Sequence, residues 1–265
     1  MSKLVNSIVA IRSLDDLALR DNGVNALNPL IKLLVVIIYI IFVVSPGRYD
    51  IAGLLPFAIF PIIMIPAADI PARLLAKRLL VVLPFIVLIG VFNPVFDREP
   101  VIFAGVRLAG GWITFASLLI KGVLTVTAGL LLIATTGMEN LSAAFRQLRV
   151  PRLLVLQLLL TYRYITVLLE EANNTAVAYS LRAPLQKGIQ YKVWGSFAGQ
   201  LLLRTYDRAQ RLYAAMQLRG FEGEYHTGKA QAVRGGDLTF LIGWVIFFIA
   251  VRILNFAGLL GNMFT

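Results

Sequence analysis

Apolar positions in this chain fall in long runs rather than in alternation, and the runs define the elements. The first covers Leu30–Val44, interrupted only by Lys32 near its start, and Ser45-Pro46-Gly47 ends it. A second covers Ile51–Ala68 and holds prolines at 56, 61 and 66. Those prolines would break a helix in water. A membrane helix tolerates them as kinks where neighbours satisfy the freed carbonyls. A third run, Leu79–Phe92, is short for about 30 Å of hydrocarbon unless the preceding turn or Asn93 joins it. The fourth, Gly111–Thr135, carries Lys121 in its middle, and the fifth, Leu238–Leu260, carries Arg252. The pattern predicts an all-α membrane bundle of five spans, or six if the segment between the last two hides one. Met1–Leu19 has the spacing of a short amphipathic surface helix, and equally of a frayed terminus.

Between the fourth and fifth runs the pattern changes. Segment 137–236 is too polar to be all membrane and too poor in Gly and Pro to be a loose loop. Two long helical patterns occupy it. One runs from about Arg152 to Arg182, near-continuously apolar over Leu153–Leu160 and amphipathic afterwards. Ala183-Pro184 stops it, because proline disfavours helix at the residue before it. The other runs from about Ser196 to Leu218. Phe197, Leu201, Leu202, Ala209, Leu212 and Met216 share one face, and Arg204, Arg208 and Arg211 share another. Gly220 lies where a glycine just past a helix end is expected. Both helices end on an arginine, as Leu181-Arg182-Ala183 and Leu218-Arg219-Gly220. The helix dipole accounts for one basic residue in a last turn. Two such ends in one cationic segment read equally as contact points.

Composition agrees with the runs. Of 265 residues 58% are hydrophobic and only 15% charged, where a soluble domain carries about 25% charged residues. That excludes a soluble globular enzyme, a disordered chain and a fibrous protein. The chain has no cysteine and one histidine, His226. Disulfides, thiol chemistry and Cys-based metal sites are therefore ruled out, and a side-chain metal site would need almost all oxygen ligands. The formal charge of +11 sets orientation. With the N-terminus inside, the inner segments hold twenty of the 25 Lys and Arg residues. The outer loops hold Arg48, Arg98 and Arg107, and Lys121 and Arg252 lie within spans. The positive-inside rule then puts residues 1–28 and 137–236 in the cytoplasm, a four-span bundle at 29–136 and a last span at 237–265 that ends outside. Asp15, Asp16 and Asp21, with no small-residue cleavage site, argue against a signal peptide in the first 28 residues.

Motifs for chemistry are missing. Gly228-Lys229 is followed by Ala230 and lacks the glycine spacing of a phosphate-binding loop. No H-E-x-x-H or G-x-S-x-G occurs. Within the spans this reading finds only Lys121 and Arg252 as ionisable groups, and no carboxylate. Lys121 should face protein or water, either contacting a neighbouring subunit or snorkelling inside the bundle. Arg252, near the outer end of its span, is expected to snorkel. A cationic amphipathic helix pair under a membrane bundle can bind anionic lipid, bind nucleic acid, or dock a cytoplasmic partner with acidic grooves. Tyr162, Tyr164, Tyr206 and Tyr213 fit a packed helix pair better than a base-stacking platform, so no nucleic acid is expected.

Several runs together resemble a known family. They are Leu27-x-Pro29-x-x-Lys32-Leu33, Phe92-Asn93-Pro94-Val95-Phe96-Asp97, Thr135-Thr136-Gly137, Leu148-Arg149-Val150-Pro151-Arg152, Leu160-Thr161-Tyr162-Arg163-Tyr164, Tyr206-Asp207-Arg208 and Leu218-Arg219-Gly220-Phe221. The chain resembles the transmembrane T component of energy-coupling factor transporters, in the cobalt/nickel, CbiQ-like subtype. The resemblance covers essentially the whole chain and is strongest over 135–225. It implies a non-catalytic subunit that links two cytoplasmic ABC-type ATPases to a small integral-membrane substrate-binding subunit. ATP and Mg would be bound by the ATPases and the metal ion by the small subunit, leaving no cofactor in this chain. The family's coupling helices end in two Ala-Arg-Gly/Ser motifs whose arginines plug into the ATPases. By position these are Leu181-Arg182-Ala183 and Leu218-Arg219-Gly220, with Arg204, Arg208 and Arg211 as a supporting surface. Leucine replaces the alanine in both, and Ala183 replaces the small polar or glycine residue in the first. The alternatives are a T component serving a vitamin such as biotin, and a membrane scaffold with no transport role.

Overall fold

A computed structural model describes residues 17–20, 22–96, 100–103, 106–183, 189–223 and 233–253. The proposed surface helix at the N-terminus falls outside them, except for its last residues, and so does His226. Among the described residues the fold is all-helical apart from one short hairpin, in which β1 (Pro100–Phe103) pairs antiparallel with β2 (Val106–Ala109), Pro100 opposite Ala109. Nothing in the alternation pattern announced that hairpin. The chain divides into two compact units, one of residues 17–137 with 231–265 and one of residues 1–16 with 138–230.

The first unit contains every apolar run but the one within 137–236. Its first helix, α1 (Pro29–Val44), starts where Asn28 caps it, the side chain accepting from the Leu30 N–H at 2.9 Å with proline in the first turn. A 3-10 turn (Ala52–Ala58) runs on into α2 (Ile59–Ala67). The prolines explain the change of winding. The Phe57 carbonyl would bond four residues on to Pro61, which has no N–H, and the Tyr39 hydroxyl donates to it instead at 3.1 Å. Tyr39 is fully buried, with its ring centroid 4.6 Å from Phe60 and 5.4 Å from Phe248. These rings, with Phe57 and Trp244, form the unit's aromatic core.

Helix α3 (Ala72–Gly90) begins seven residues before the apolar run that predicts it. Arg73, Lys77 and Arg78, which precede that run, form the first turns of the helix. A short helix, α4 (Phe92–Phe96), leads toward the hairpin, and α5 (Gly110–Thr136) follows it. Helix α3 packs on α5 at two glycines. A Cβ at Gly90 would stand 2.7 Å from the Phe115 ring, and one at Gly122 would stand 2.9 Å from Ile86 Cδ1. The last helix, α9 (Gly235–Ile253), packs on α1.

In the second unit, α6 (Met138–Gln147) leads into α7 (Arg152–Arg182), and α8 (Trp194–Leu218) follows a single 3-10 turn. Four helices are long and apolar enough to cross a membrane, namely α3 extended to Pro94, α5, α7 and α9. The stretches Pro29–Val44 and Ala52–Ala67 are shorter apolar helices. The protein is thus a multi-pass membrane protein; α7 meets the condition by length and composition, although it lies in the segment that the charge distribution puts in the cytoplasm.

Candidate coupling surface

The two arginine ends of the second unit are built differently. Helix α7 stops at Arg182. Ala183 leaves helical geometry, and its N–H still donates to the Tyr179 carbonyl at 3.1 Å. Helix α8 ends in a complete glycine cap. The Gly220 N–H donates to Gln217 O, the Phe221 N–H donates to Met216 O, both at 3.0 Å, and Gly220 takes φ +78. That cap fixes Arg219 as the turning residue, with the next position in the left-handed region that favours glycine. Helix α6 ends in the same pattern, with Val150 bonding back to Phe145 O, but Arg149 occupies the left-handed position at φ +61.

Both ends project. Leu181 is 77% exposed and Leu218 90% exposed, and Arg182 and Arg219 are exposed beside them. Among the described residues neither guanidinium makes an ion pair or hydrogen bond. Each end therefore presents an apolar side chain next to an uncommitted cation. Such a pair suits a pocket that has an apolar wall and an acidic floor.

The supporting arginines separate. Arg204 pairs with Glu171 and ties α8 to α7. Arg208 and Arg211 are exposed and have no partner among the described residues. Helix α8 rests in its unit on a half-buried stripe of Phe197, Leu201, Thr205, Leu212 and Met216. Leu202 and Ala209, assigned by spacing to that stripe, are exposed instead. The apolar arc of α8 is wider than α7 covers. Leu202, Tyr206 and Tyr213 lie on the uncovered flank, with the arginines on the other.

Lys121 has partners inside its own unit. Its ammonium donates to Pro46 O at 2.6 Å and Val44 O at 3.3 Å, closing the C-terminal end of α1. Arg252 is exposed. The sequence reading of in-span charges needs a correction: among the described residues, the buried acidic and basic side chains of this unit are Lys32 and Asp237. Both sit at helix ends, where a charge looks like an orientation signal rather than a buried group. Among the described residues no group of three or more His, Asp or Glu could hold a metal ion.

The model of the CbiQ cobalt transport protein family matches residues 21–231. The chain belongs to that family. Among its relatives, the nickel permease LarQ of Lactiplantibacillus plantarum is 32% identical over 117 residues, 43% of this chain and 43% of that protein. The cobalt transport protein CbiQ of Salmonella typhimurium is 28% identical over 153 residues, 52% of this chain and 67% of that protein. That of Rhodobacter capsulatus is 36% identical over 96 residues, 35% of this chain and 38% of that protein. The aligned part of the chain spans about half the length of most relatives it matches.

Proposed function

We propose that the chain is the transmembrane coupling subunit of an energy-coupling factor importer for cobalt or nickel ions. Two cytoplasmic ABC-type ATPases supply the energy, and a small integral-membrane subunit binds the ion. This chain binds neither ATP nor metal. Its N-terminus and residues 137–236 lie on the cytoplasmic side. ATP binding closes the ATPases, the helix ends that they grip move with them, and the membrane unit passes that movement to the substrate-binding subunit.

One observation carries the reading. In a CbiQ-family chain, α7 and α8 each end on an exposed Leu-Arg pair whose guanidinium has no partner among the described residues. Helix ends built for stability alone would spend those cations on their own last-turn carbonyls. Family membership and the absence of a nucleotide-binding loop from the sequence support a division of labour with separate ATPases.

The test is affinity purification of the chain from its own membranes in mild detergent, with mass spectrometry of what accompanies it. The proposal expects ABC-type ATPases and one small membrane protein. Recovery of the chain alone, from membranes in which such ATPases are detected, refutes it. Recovery of a vitamin-binding subunit in place of an ion-binding one would keep the coupling role and change the cargo.

A further inference from the structure

One buried charge cluster sits where the chain passes from the membrane unit to the coupling unit and back. Lys32, 4% exposed, donates from its ammonium to the Thr135 carbonyl at 2.8 Å and the Asn25 carbonyl at 3.1 Å. Thr135 is in the last turn of α5, two residues before the chain leaves the membrane unit at Gly137. Asp237, also 4% exposed, accepts from the Arg234 N–H at 2.7 Å and from the Asn28 N–H at 2.9 Å. Arg234 opens α9, just after the chain re-enters the unit at Gln231. Asn28 is the cap of α1.

The charges match the helix ends they touch. A cation closes the C-terminal end of α5, and one carboxylate serves the N-terminal ends of α1 and α9 together. Three neutral caps would satisfy the same backbone groups without burying an ion. What the charged arrangement adds is linkage, since α1 is bound through it to both crossing points.

We propose that Lys32 and Asp237 are positioning residues that hold the outgoing and returning crossings as a single joint, so that movement of the coupling helices reaches the membrane unit instead of being lost at its edge. The proposal rests on the coupling role argued above.

The experiment is hydrogen exchange on the intact chain in lipid nanodiscs, read by mass spectrometry. In the wild type, amides of 135–138 and 234–238 should open as one unit, with a common dependence on added denaturant. Opening at clearly different free energies overturns the joint, and this measurement needs no variant to fold. In Lys32→Met and in Asp237→Asn, exchange at both crossings should rise together by about tenfold, with no change near Tyr39 and Phe248. If Lys32→Met loosens only 135–138 and Asp237→Asn only 234–238, each is an ordinary cap and the proposal falls. In the reconstituted importer, either variant should recover ATPase as the wild type does and import about tenfold fewer ions per ATP hydrolysed. An unchanged ratio refutes the positioning role. Failure of the coupling reading shows separately, as a wild-type chain that recovers no ATPase, and the exchange result still decides the joint.

Discussion

Arg219→Ala separates folding from docking. The Arg219 side chain is exposed and makes no hydrogen bond or ion pair among the described residues, and the cap around it is made by the backbone of Met216, Gln217, Gly220 and Phe221. Removing the side chain leaves that cap intact. The folding cost should therefore fall within about 0.5 kcal/mol, as for other surface substitutions. Docking is different. A guanidinium seated against carboxylates in a dry pocket leaves them unpaired when removed, which costs about 2–5 kcal/mol. Each 1.4 kcal/mol is tenfold, so affinity for the ATPase should fall by about 30-fold to a few thousand-fold. Arg219→Lys keeps the charge and loses the fork, so it should lie between alanine and wild type. The assay pairs thermal unfolding of the purified chain with ATPase recovery and ion uptake in membranes of matched expression. The same reasoning applies to Arg182. If the Arg182→Ala, Arg219→Ala double variant shows normal uptake and normal ATPase recovery, the plug reading is wrong.

Two further predictions concern the membrane unit. Lys121→Met removes the donor that serves Pro46 O and Val44 O, at a cost of about 1.5–3 kcal/mol for hydrogen bonds from a charged group. Its unfolding temperature in detergent should drop by several degrees, and no drop would mean that these contacts contribute nothing. Gly90→Ala should destabilise more than Gly122→Ala, by about 1–3 kcal/mol of overpacking. The new Cβ at Gly90 would stand 2.7 and 2.9 Å from two atoms of the rigid Phe115 ring, whereas at Gly122 the nearest atoms are Ile86 Cδ1 at 2.9 Å and Cγ2 at 3.0 Å, the first of which can swing away. Equal effects in the same unfolding assay would contradict the packing described for α3 and α5.

How much was legible followed from how local each cause is. Helix α7 has the bounds that Pro151, Arg152 and Ala183-Pro184 imply, because a proline acts on its immediate neighbours. The Gly220 cap was legible for the same reason, since a glycine past an amphipathic helix relieves a strain set by two or three residues. Which face of α8 is covered was not legible. Leu202 and Ala209 have the right periodicity, but burial depends on how wide a neighbour α7 is. The buried charges were missed for a stronger reason. Asp237 bonds to Asn28 across most of the length of the chain, and Lys32 bonds to the carbonyl of Thr135, whose backbone carries no residue-specific signal. In the candidate site, the positions of Arg182 and Arg219 at helix ends were legible. The commitment of Arg204 to Glu171 was not, because it depends on the register between two helices.

Burial differs sharply between the parts of the chain, and the difference bears on the coupling role proposed for the second unit. Helix α8 buries no residue and α7 buries only Val155, whereas α1 alone buries eight. Apolar burial is what makes a unit rigid. A pair of helices with so little of it cannot transmit force as an isolated lever. In the proposed importer, α7 and α8 become stiff only when lipid and partner subunits cover their exposed apolar positions. Rigidity is then needed from this chain itself at two places, the helix ends that are gripped and the crossings into the membrane unit. Those are the places where the structure sets a glycine-capped arginine and a buried Lys–Asp cluster.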